Sequence, residues 1–498
     1  MTKALSGKKP DVEITLDPED WEAFRRFAHD ALDRSIDYIE GVRSRPPWQP
    51  MPKAAMEALS TPVPQDGKPV EEVFGEFQQN IFPYPLGNIH PRHWGWVNGS
   101  GTPEGIVAEM LAATMNSNLT GHDQAPVWVE MQVIGWFREL FDFPSSSGGI
   151  LVSGGTMANL TALQTARTAK TGFDVRAEGL SSNKAGRYTI YGSTETHYCI
   201  TKSVDLLGFG KKAYRAIPVC DDFTIDLKAL KKQIVADKTA GFTPMVIVGN
   251  AGTVNTGAID PLEELADIAR AHNMWFHVDG AFGAVAYFSE KLRPRLKGLP
   301  LADSIAFDLH KWLYQPYGLG CVLVKSAQAL SDAFSFEANY FRPLAGGVSN
   351  GPMTFNNIGI EHSRRFRALA FWFSMKTQGL EKFKALFEQN VAQAAYLGSL
   401  IEGSESLELL APVGLNVVAF RYNPGGLSEN DLDNLNRLLL IEIQNRGIAV
   451  PSATTLDGRF CLRAAIVNHR SRREDFEVLA KALKEIGDEL KKKGGWGA

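Results

Sequence analysis

The sequence predicts an α/β protein with a mostly parallel central sheet, a smaller C-terminal α+β domain and an N-terminal helical segment. Between residues 103 and 375, short apolar runs alternate with helical patterns, which is typical of a parallel sheet covered on both faces. Beyond residue 376, two strand patterns are interleaved with two amphipathic helix patterns. A proline-rich connector follows the first helix pattern. We therefore expect three domains, at 1–100, 101–375 and 376–498.

The N-terminal segment is predicted to contain a helix over residues 18–40, with Asp17 as N-cap and Pro18 in the first helical position. Its apolar stripe must be buried, either against the rest of the subunit or against a partner subunit. A short helix is expected at 70–80 and an irregular loop at 81–101. The stripe consists of Trp21, Phe24, Ile36 and Ile39, and the loop carries three aromatic residues that a pocket wall could shelter, His93, Trp94 and Trp96.

The central region is predicted to hold six strands and three intervening helices. In a sheet of this kind, ligands bind beyond the carboxyl ends of the strands. The expected strands lie at 150–152, 188–191, 245–248, 275–278, 304–307 and 321–324, and the helices at 157–171, 196–207 and 261–272. In the C-terminal region the expected strands are 416–422 and 460–463, and the helices 429–446 and 474–493.

The composition narrows the functional classes. Of the 498 residues, 44% are apolar and 22% charged, which is typical of a globular protein. A net charge of −4 gives no basic excess for nucleic acid, so no nucleic-acid partner is expected. No apolar run reaches the roughly 18 residues of a membrane span, and no secretory signal is expected. The four cysteines are far apart in the sequence, so we expect neither a disulfide framework nor a metal site. We expect the protein to be cytoplasmic.

Three strand ends carry residues that could bind a ligand. The glycines of Ser153–Thr156 precede a helix and could bind an anion, although a tight turn capped by Thr156 is an alternative. Asp279 follows the strand 275–278 and needs a cation or a donor, or else acts as a structural cap. Lys311 follows the strand 304–307, where burial would lower the pKa of its amine and favour Schiff-base chemistry; a surface lysine is the alternative.

Together these three groups match the requirements of pyridoxal 5′-phosphate. This cofactor needs a cradle for its phosphate, a carboxylate beside its ring nitrogen and an amine for its aldehyde. The combination is more specific than any one of its parts.

The motifs around Asp279 and Lys311 resemble those of the pyridoxal-phosphate-dependent group II amino-acid decarboxylases, most closely the aromatic-L-amino-acid branch. The resemblance lies in Trp275–Ala281 and Asp308–Trp312 and in the spacing of 32 positions between the acid and the lysine. It implies the aspartate-aminotransferase-like fold, called fold type I. It also implies that Lys311 forms the Schiff base, that Asp279 pairs with the ring nitrogen and that His197 stacks on the ring. The further cofactor contacts that it implies are Gly155, Thr156, Thr253, Ala281 and His310.

The resemblance is less close in the substrate region. Leu309 and Gly280 replace a proline and an alanine of many relatives, and the loop containing Trp96 and Val97, our candidate substrate contacts, departs from the usual segment. Ser363, just before an arginine pair, is a third candidate and favours tyrosine or DOPA over tryptophan.

The implied activity is decarboxylation of an L-amino acid, most naturally an aromatic one, to the amine and CO₂. Tyr340, on a predicted mobile loop, matches the family's proton donor, and a tyrosine there favours the amine over the aldehyde that related synthases make. An aldehyde synthase, a decarboxylase of an acidic or diamino acid, and a non-catalytic protein remain alternatives. The family also implies a homodimer with its active site at the subunit interface, clasped by the N-terminal helix.

Overall fold

A computed structural model describes residues 14–336 and 346–494, and these residues form two compact units. The first unit comprises the described part of Met1–Ser44 together with Met51–Pro85. The second comprises Arg45–Pro50 and the described part of Leu86–Ala498. Both β-sheets lie in the second unit.

The first unit is helical, as predicted. It contains α1 (Trp21–Glu40), α2 (Lys53–Ala58) and α3 (Val70–Asn80). α1 begins three residues later than expected, because Asp20 rather than Asp17 is the N-cap: its carboxylate accepts hydrogen bonds of 2.9 Å from the backbone N–H groups of Glu22 and Ala23.

Aromatic contacts hold the helices of the first unit together. Phe27 of α1 meets Phe74 of α3 edge to face, with ring centroids 5.5 Å apart. The predicted stripe is only partly covered within this unit, since Trp21 and Ile36 are 58% and 50% exposed.

The larger sheet of the second unit has seven strands in the order β1-β7-β6-β5-β4-β2-β3. The pairs β2–β3, β2–β4, β4–β5 and β5–β6 are parallel, whereas β7 runs antiparallel to both β1 and β6. The strands are β1 (Gly148–Val152), β2 (Arg187–Ser193), β3 (Tyr214–Ile217), β4 (Phe242–Asn250), β5 (Trp275–Asp279), β6 (Ser304–Asp308) and β7 (Gly320–Val324). The six predicted strands are thus confirmed within a mostly parallel sheet.

Apolar cores cover both faces of this sheet. Along β4, Ile247 enters the core on one face, while Val246 and Val248 enter the core on the other. The helices around the sheet are α4 (Pro103–Met115), α5 (Ala125–Leu140), α6 (Gly155–Lys170), α7 (Val175–Glu178), α8 (Cys199–Leu206), α9 (Leu227–Thr239), α10 (Leu262–Ala271), α11 (Ala327–Phe334) and α12 (Ala368–Gln378).

The C-terminal sheet is antiparallel, with the order β10-β11-β9-β8. Its strands are β8 (Leu407–Leu409), β9 (Val417–Tyr422), β10 (Ser452–Leu456) and β11 (Arg459–Ala465), and its helices α13 (Leu380–Glu402), α14 (Glu429–Asn445) and α15 (Arg473–Lys493). Trp94 belongs to this core: its ring stacks on Phe476 at 4.7 Å, and its indole N–H donates to Ser471 Oγ at 3.0 Å. In the described part of the chain, no helix combines the length and the apolarity that crossing a membrane requires.

Candidate active site

A cavity of about 650 Å³ opens at the carboxyl ends of β1, β4, β5 and β6. Nine predicted site residues from distant segments of the chain line this cavity. These are Trp96, Val97, Gly155, Thr156, His197, Asp279, Ala281, His310 and Lys311.

Two predicted site residues, Thr253 and Ser363, are not in the wall of this cavity. Thr253 lies behind it, between the lining residues Gly252 and Val254, and its hydroxyl contacts Thr256 Oγ1 at 2.9 Å. Ser363 lines a second cavity of about 670 Å³, beside Asn118 and Arg364. Tyr340 lies outside the described residues.

Lys311 is positioned by the turn that follows β6. Its Nζ lies 3.0 Å from Asp308 Oδ2. Burial acts to lower the pKa of Lys311, but the charge of Asp308 and its hydrogen bond outweigh burial, so that the pKa is raised. The lowered pKa expected from burial alone is therefore wrong, because that expectation left out the carboxylate three residues earlier.

Asp308 belongs to the motif Asp308–Trp312, but the motif predicts no role for it. Its side chain is buried at the end of β6, and His310 Nε2 lies 3.8 Å from its Oδ2. Its Oδ1 has no hydrogen-bond partner within the described parts of the chain. The sequence contains a pattern that could have identified Asp308 as a site residue, because an acidic residue follows an apolar strand here as it does at Asp279.

Gly154 and Gly155 lie where an anion cradle is expected. α6 begins at Gly155, and within the described residues no side chain caps its N-terminus, so its first N–H groups can face an anion. Thr156 is inside the first turn rather than at the cap, which argues against the tight-turn alternative. A Cβ at Gly155 would lie 2.8 Å from Asp308 Oδ2, so a side chain there would fill the cradle.

Asp279 is buried at the end of β5, opposite Asn250 of β4. Its Oδ1 accepts a hydrogen bond of 3.2 Å from the backbone N–H of Ala281. His197 lines the same cavity, and burial lowers its pKa although the charge of Asp279 opposes this shift. A predominantly neutral imidazole suits stacking on a positively charged ring.

The loop before α4 closes one side of the cavity. Gly99 is required there, since a Cβ would lie 2.0 Å from the backbone oxygen of His310. Trp96 has a φ of 54° and is half-exposed in the cavity wall. The loop therefore packs its backbone against that of His310 and contributes Trp96 to the cavity wall.

Arg463 is a cavity residue that the sequence analysis missed. It is buried on β11 and donates to the backbone oxygens of Val254 and Trp96, the latter at 2.5 Å. Throughout the described chain, no carboxylate lies within ion-pair distance of it. Burial lowers the pKa of Arg463 to about 10, which leaves it charged at neutral pH. The sequence feature that could have identified Arg463 is the presence of an arginine in the predicted apolar strand 460–463.

These residues fit pyridoxal 5′-phosphate. The cradle that a Cβ would fill, the buried Asp279 carboxylate and the Lys311 amine supply the three groups that this cofactor needs. All three lie in one cavity.

The sequence matches known proteins over nearly its whole length. The pyridoxal-dependent decarboxylase conserved domain matches residues 52–423. An aromatic-L-amino-acid decarboxylase of Bacillus atrophaeus is 33% identical, over 94% of this chain and 96% of that protein. An L-2,4-diaminobutyrate decarboxylase of Rhizobium meliloti (strain 1021) is 29% identical, over 96% and 95% respectively.

The fold also matches solved structures. The crystal structure of Oryza sativa TDC with PLP and tryptamine superposes with a TM-score of 0.88 at 26% identity, covering 95% of this chain and 99% of that one.

Proposed function

Because the chain belongs to the pyridoxal-dependent decarboxylase family, we propose that it converts an aromatic L-amino acid to the corresponding amine and CO₂. The observation that carries this proposal is the meeting of Lys311, Asp279 and the glycine cradle in one cavity. The 33% identity to an aromatic-L-amino-acid decarboxylase supports the substrate class.

The cofactor roles follow from the positions of the side chains. When bound, pyridoxal 5′-phosphate supplies an aldehyde that captures the substrate amine and a ring that accepts the electrons of the breaking bond. Gly155 and Thr156 bind the phosphate with N–H groups at the start of α6, and His310 assists. Asp279 holds the proton on the ring nitrogen. Lys311 would hold the cofactor through its amine.

The remaining cavity residues orient the ring and the substrate. His197 and Ala281 line the cavity and would hold the cofactor ring between them, and Thr253 contacts Thr256 beside the lining residues Gly252 and Val254. Arg463 binds the substrate carboxylate, because it is buried in the cavity wall, keeps its charge at neutral pH and has no acidic partner in the described chain. Trp96 and Val97 contact the aromatic side chain of the substrate.

Tyr340 returns a proton to the α-carbon after CO₂ leaves, and this favours an amine rather than an aldehyde product. The protein acts as a homodimer in the cytoplasm, with the active site at the interface. Exposed apolar side chains on α1 support a clasp by a second copy, and the position of Ser363 on a separate cavity supports its contributing to the partner's site.

The test is CO₂ release from a panel of aromatic, acidic and diamino L-amino acids. We expect kcat/KM for the preferred aromatic substrate to exceed that for any acidic or diamino acid by at least about tenfold. Lys311→Ala should abolish the visible absorbance of the bound cofactor and lower CO₂ release by about a thousandfold. CO₂ release by Lys311→Ala at the wild-type rate would refute the role of the lysine.

A diamino acid is the second candidate substrate, because the 2,4-diaminobutyrate decarboxylase relative covers as much of the chain as the aromatic one. Preferential CO₂ release from 2,4-diaminobutyrate would establish this alternative. An aldehyde synthase would instead consume oxygen and release ammonia, so product analysis with and without oxygen separates it from an amine-forming enzyme.

A further inference from the structure

We infer that Asn159, His277 and Cys199 form a buried hydrogen-bond relay that fixes the Asp279 carboxylate and thereby keeps the cofactor ring nitrogen protonated. These are positioning residues that act through Asp279. The inference rests on the proposed function in one respect, namely that Asp279 faces the ring nitrogen.

The first half of the relay runs between β5, β6 and α6. The Trp275 indole N–H donates to Ser304 Oγ at 2.8 Å, and Ser304 Oγ lies 2.8 Å from His277 Nδ1. His277 Nε2 lies 2.6 Å from Asn159 Oδ1. The side chains of Ser304, His277 and Asn159 are inaccessible to solvent, so water cannot replace any of these partners.

Chemistry fixes the direction of every bond in this half. An indole nitrogen can only donate, and Asn159 Oδ1 can only accept. Hence His277 carries its proton on Nε2, and its Nδ1 accepts from the Ser304 hydroxyl. Burial lowers the pKa of His277 to about 4, in agreement with a neutral ring that has one N–H.

The second half of the relay connects Asn159 to both parts of the cofactor site. Asn159 Nδ2 donates to the backbone oxygen of Gly155 at 2.9 Å and approaches Cys199 Sγ at 3.5 Å. Cys199 Sγ lies 3.9 Å from Asp279 Oδ2. Burial raises the pKa of the Cys199 thiol. The thiol therefore stays protonated and can donate a hydrogen bond to the carboxylate.

Each oxygen of Asp279 has its own donor, one from the relay and one from the backbone. Oδ1 accepts from the Ala281 N–H at 3.2 Å, and Oδ2 faces the Cys199 thiol. Two donors fix the plane of the carboxylate and stabilise its ionised form, which is the form that holds a proton on the ring nitrogen. Five titratable groups interact electrostatically with Asp279, and Asp308 lies beside one of them, Lys311. The five are Lys311, His197, His277, Cys199 and Tyr214.

The experiment measures the proton on the ring nitrogen directly. Wild-type and variant holoenzymes are loaded with pyridoxal 5′-phosphate labelled with ¹⁵N in the ring, and solid-state ¹⁵N NMR gives the pH at which half of the nitrogen has lost its proton. We expect Asn159→Leu to lower this midpoint by at least about one pH unit, a tenfold loss of proton affinity. In the same variant, kcat should fall by a larger factor than KM changes.

Position 199 provides the matched control. Cys199→Ala removes the donor and should lower the midpoint, whereas Cys199→Ser supplies a hydroxyl donor and should restore the wild-type value. A purely structural role would weaken cofactor affinity or thermal stability in these variants but leave the midpoint unmoved, and that result overturns the relay. If Asn159→Leu does not fold, the pair at position 199 decides the matter alone.

The wild-type spectrum separates the two proposals. A wild-type protein that binds no cofactor through Lys311 would overturn the proposed function together with the relay. A wild-type protein with a protonated ring nitrogen, and variants with the same midpoint, would overturn the relay alone.

Discussion

At the scale of single residues, the chemistry of Lys311 depends on a neighbour three positions earlier in the chain. Burial disfavours the charged amine, but Asp308 Oδ2 lies 3.0 Å from Nζ and reverses the net shift of the pKa. The same carboxylate borders the glycine cradle, where a phosphate is proposed to bind. Asp308 thus opposes cofactor attachment in two ways: it keeps the amine protonated, and it repels the anion.

Removing this charge should speed cofactor attachment. In Asp308→Asn the pKa of Lys311 should fall, and each unit of decrease gives about tenfold more neutral amine near neutral pH. We expect the visible absorbance to develop at least about threefold faster after pyridoxal 5′-phosphate is mixed with the cofactor-free protein in a stopped-flow instrument. Asp267→Asn, at an exposed carboxylate paired with Arg270, is the control. Attachment at the wild-type rate in Asp308→Asn would contradict the argument.

The residues that could be predicted from the sequence are those whose role is written into a local pattern. Lys311 and Asp279 each follow an apolar strand, and Gly155 opens a helix, so strand order alone brings them to one sheet edge. Arg463 could not be assigned, because its role depends on contacts with loop backbones more than 200 and 360 positions away. Strand periodicity carries no information about such contacts.

At the scale of elements, eight strands and seven helices were predicted from their apolar patterns, whereas β8, β10 and eight helices of the described chain were not. β3 was not predicted either, because only one of its four residues is buried and it therefore lacks an apolar run. The start of α1 was misplaced because Asp17 and Asp20 offer equally good capping side chains, and only the extended backbone at Asp20 identifies the actual cap. Boundaries of this kind depend on backbone conformation rather than on residue type.

The turn after β5 gives a test at this scale. A Cβ at Gly280 would lie 2.4 Å from the Cβ of Ala284, which is fully buried. We expect Gly280→Ala to destabilise the protein by roughly 1–3 kcal/mol through overpacking, measured as a lower unfolding temperature.

A second glycine is the control for that substitution. Gly135 lies inside α5, where a Cβ would meet only Arg138 Nη2 at 3.9 Å. Gly135→Ala should therefore stabilise the protein by up to about 1 kcal/mol. Equal unfolding temperatures for the two variants would show that the turn can relax around the added methyl group.

At the scale of the whole molecule, the sheet architecture was predictable but the division of the chain was less so. Both sheets lie in one compact unit, and a domain boundary at residue 376 stays a proposal. Arg463 illustrates why: it belongs to the C-terminal sheet yet lines the cavity at the edge of the larger one.

Three buried histidines of this unit predict how its stability depends on pH. Burial lowers the pKa values of His93, His277 and His469 to about 4. In the unfolded chain a histidine titrates near 6.5. Below pH 6.5 the unfolded state therefore binds more protons than the folded state, so the free energy of unfolding falls as the pH drops towards 4 and is fully retained above 6.5.

His93 isolates one such contribution, because its two ring nitrogens have no hydrogen-bond partner in the described chain. In His93→Phe we expect the stability lost between pH 6.5 and pH 4 to be smaller than in the wild type by roughly 3 kcal/mol, since a shift of one pKa unit corresponds to about 1.4 kcal/mol. Urea unfolding at a series of pH values measures this difference. His29→Phe, which makes the same substitution at an exposed histidine, is the comparison variant. If His93→Phe lost as much stability as the wild type over this interval, His93 would have to be protonated in the folded protein, and its burial would not be the cause of acid sensitivity.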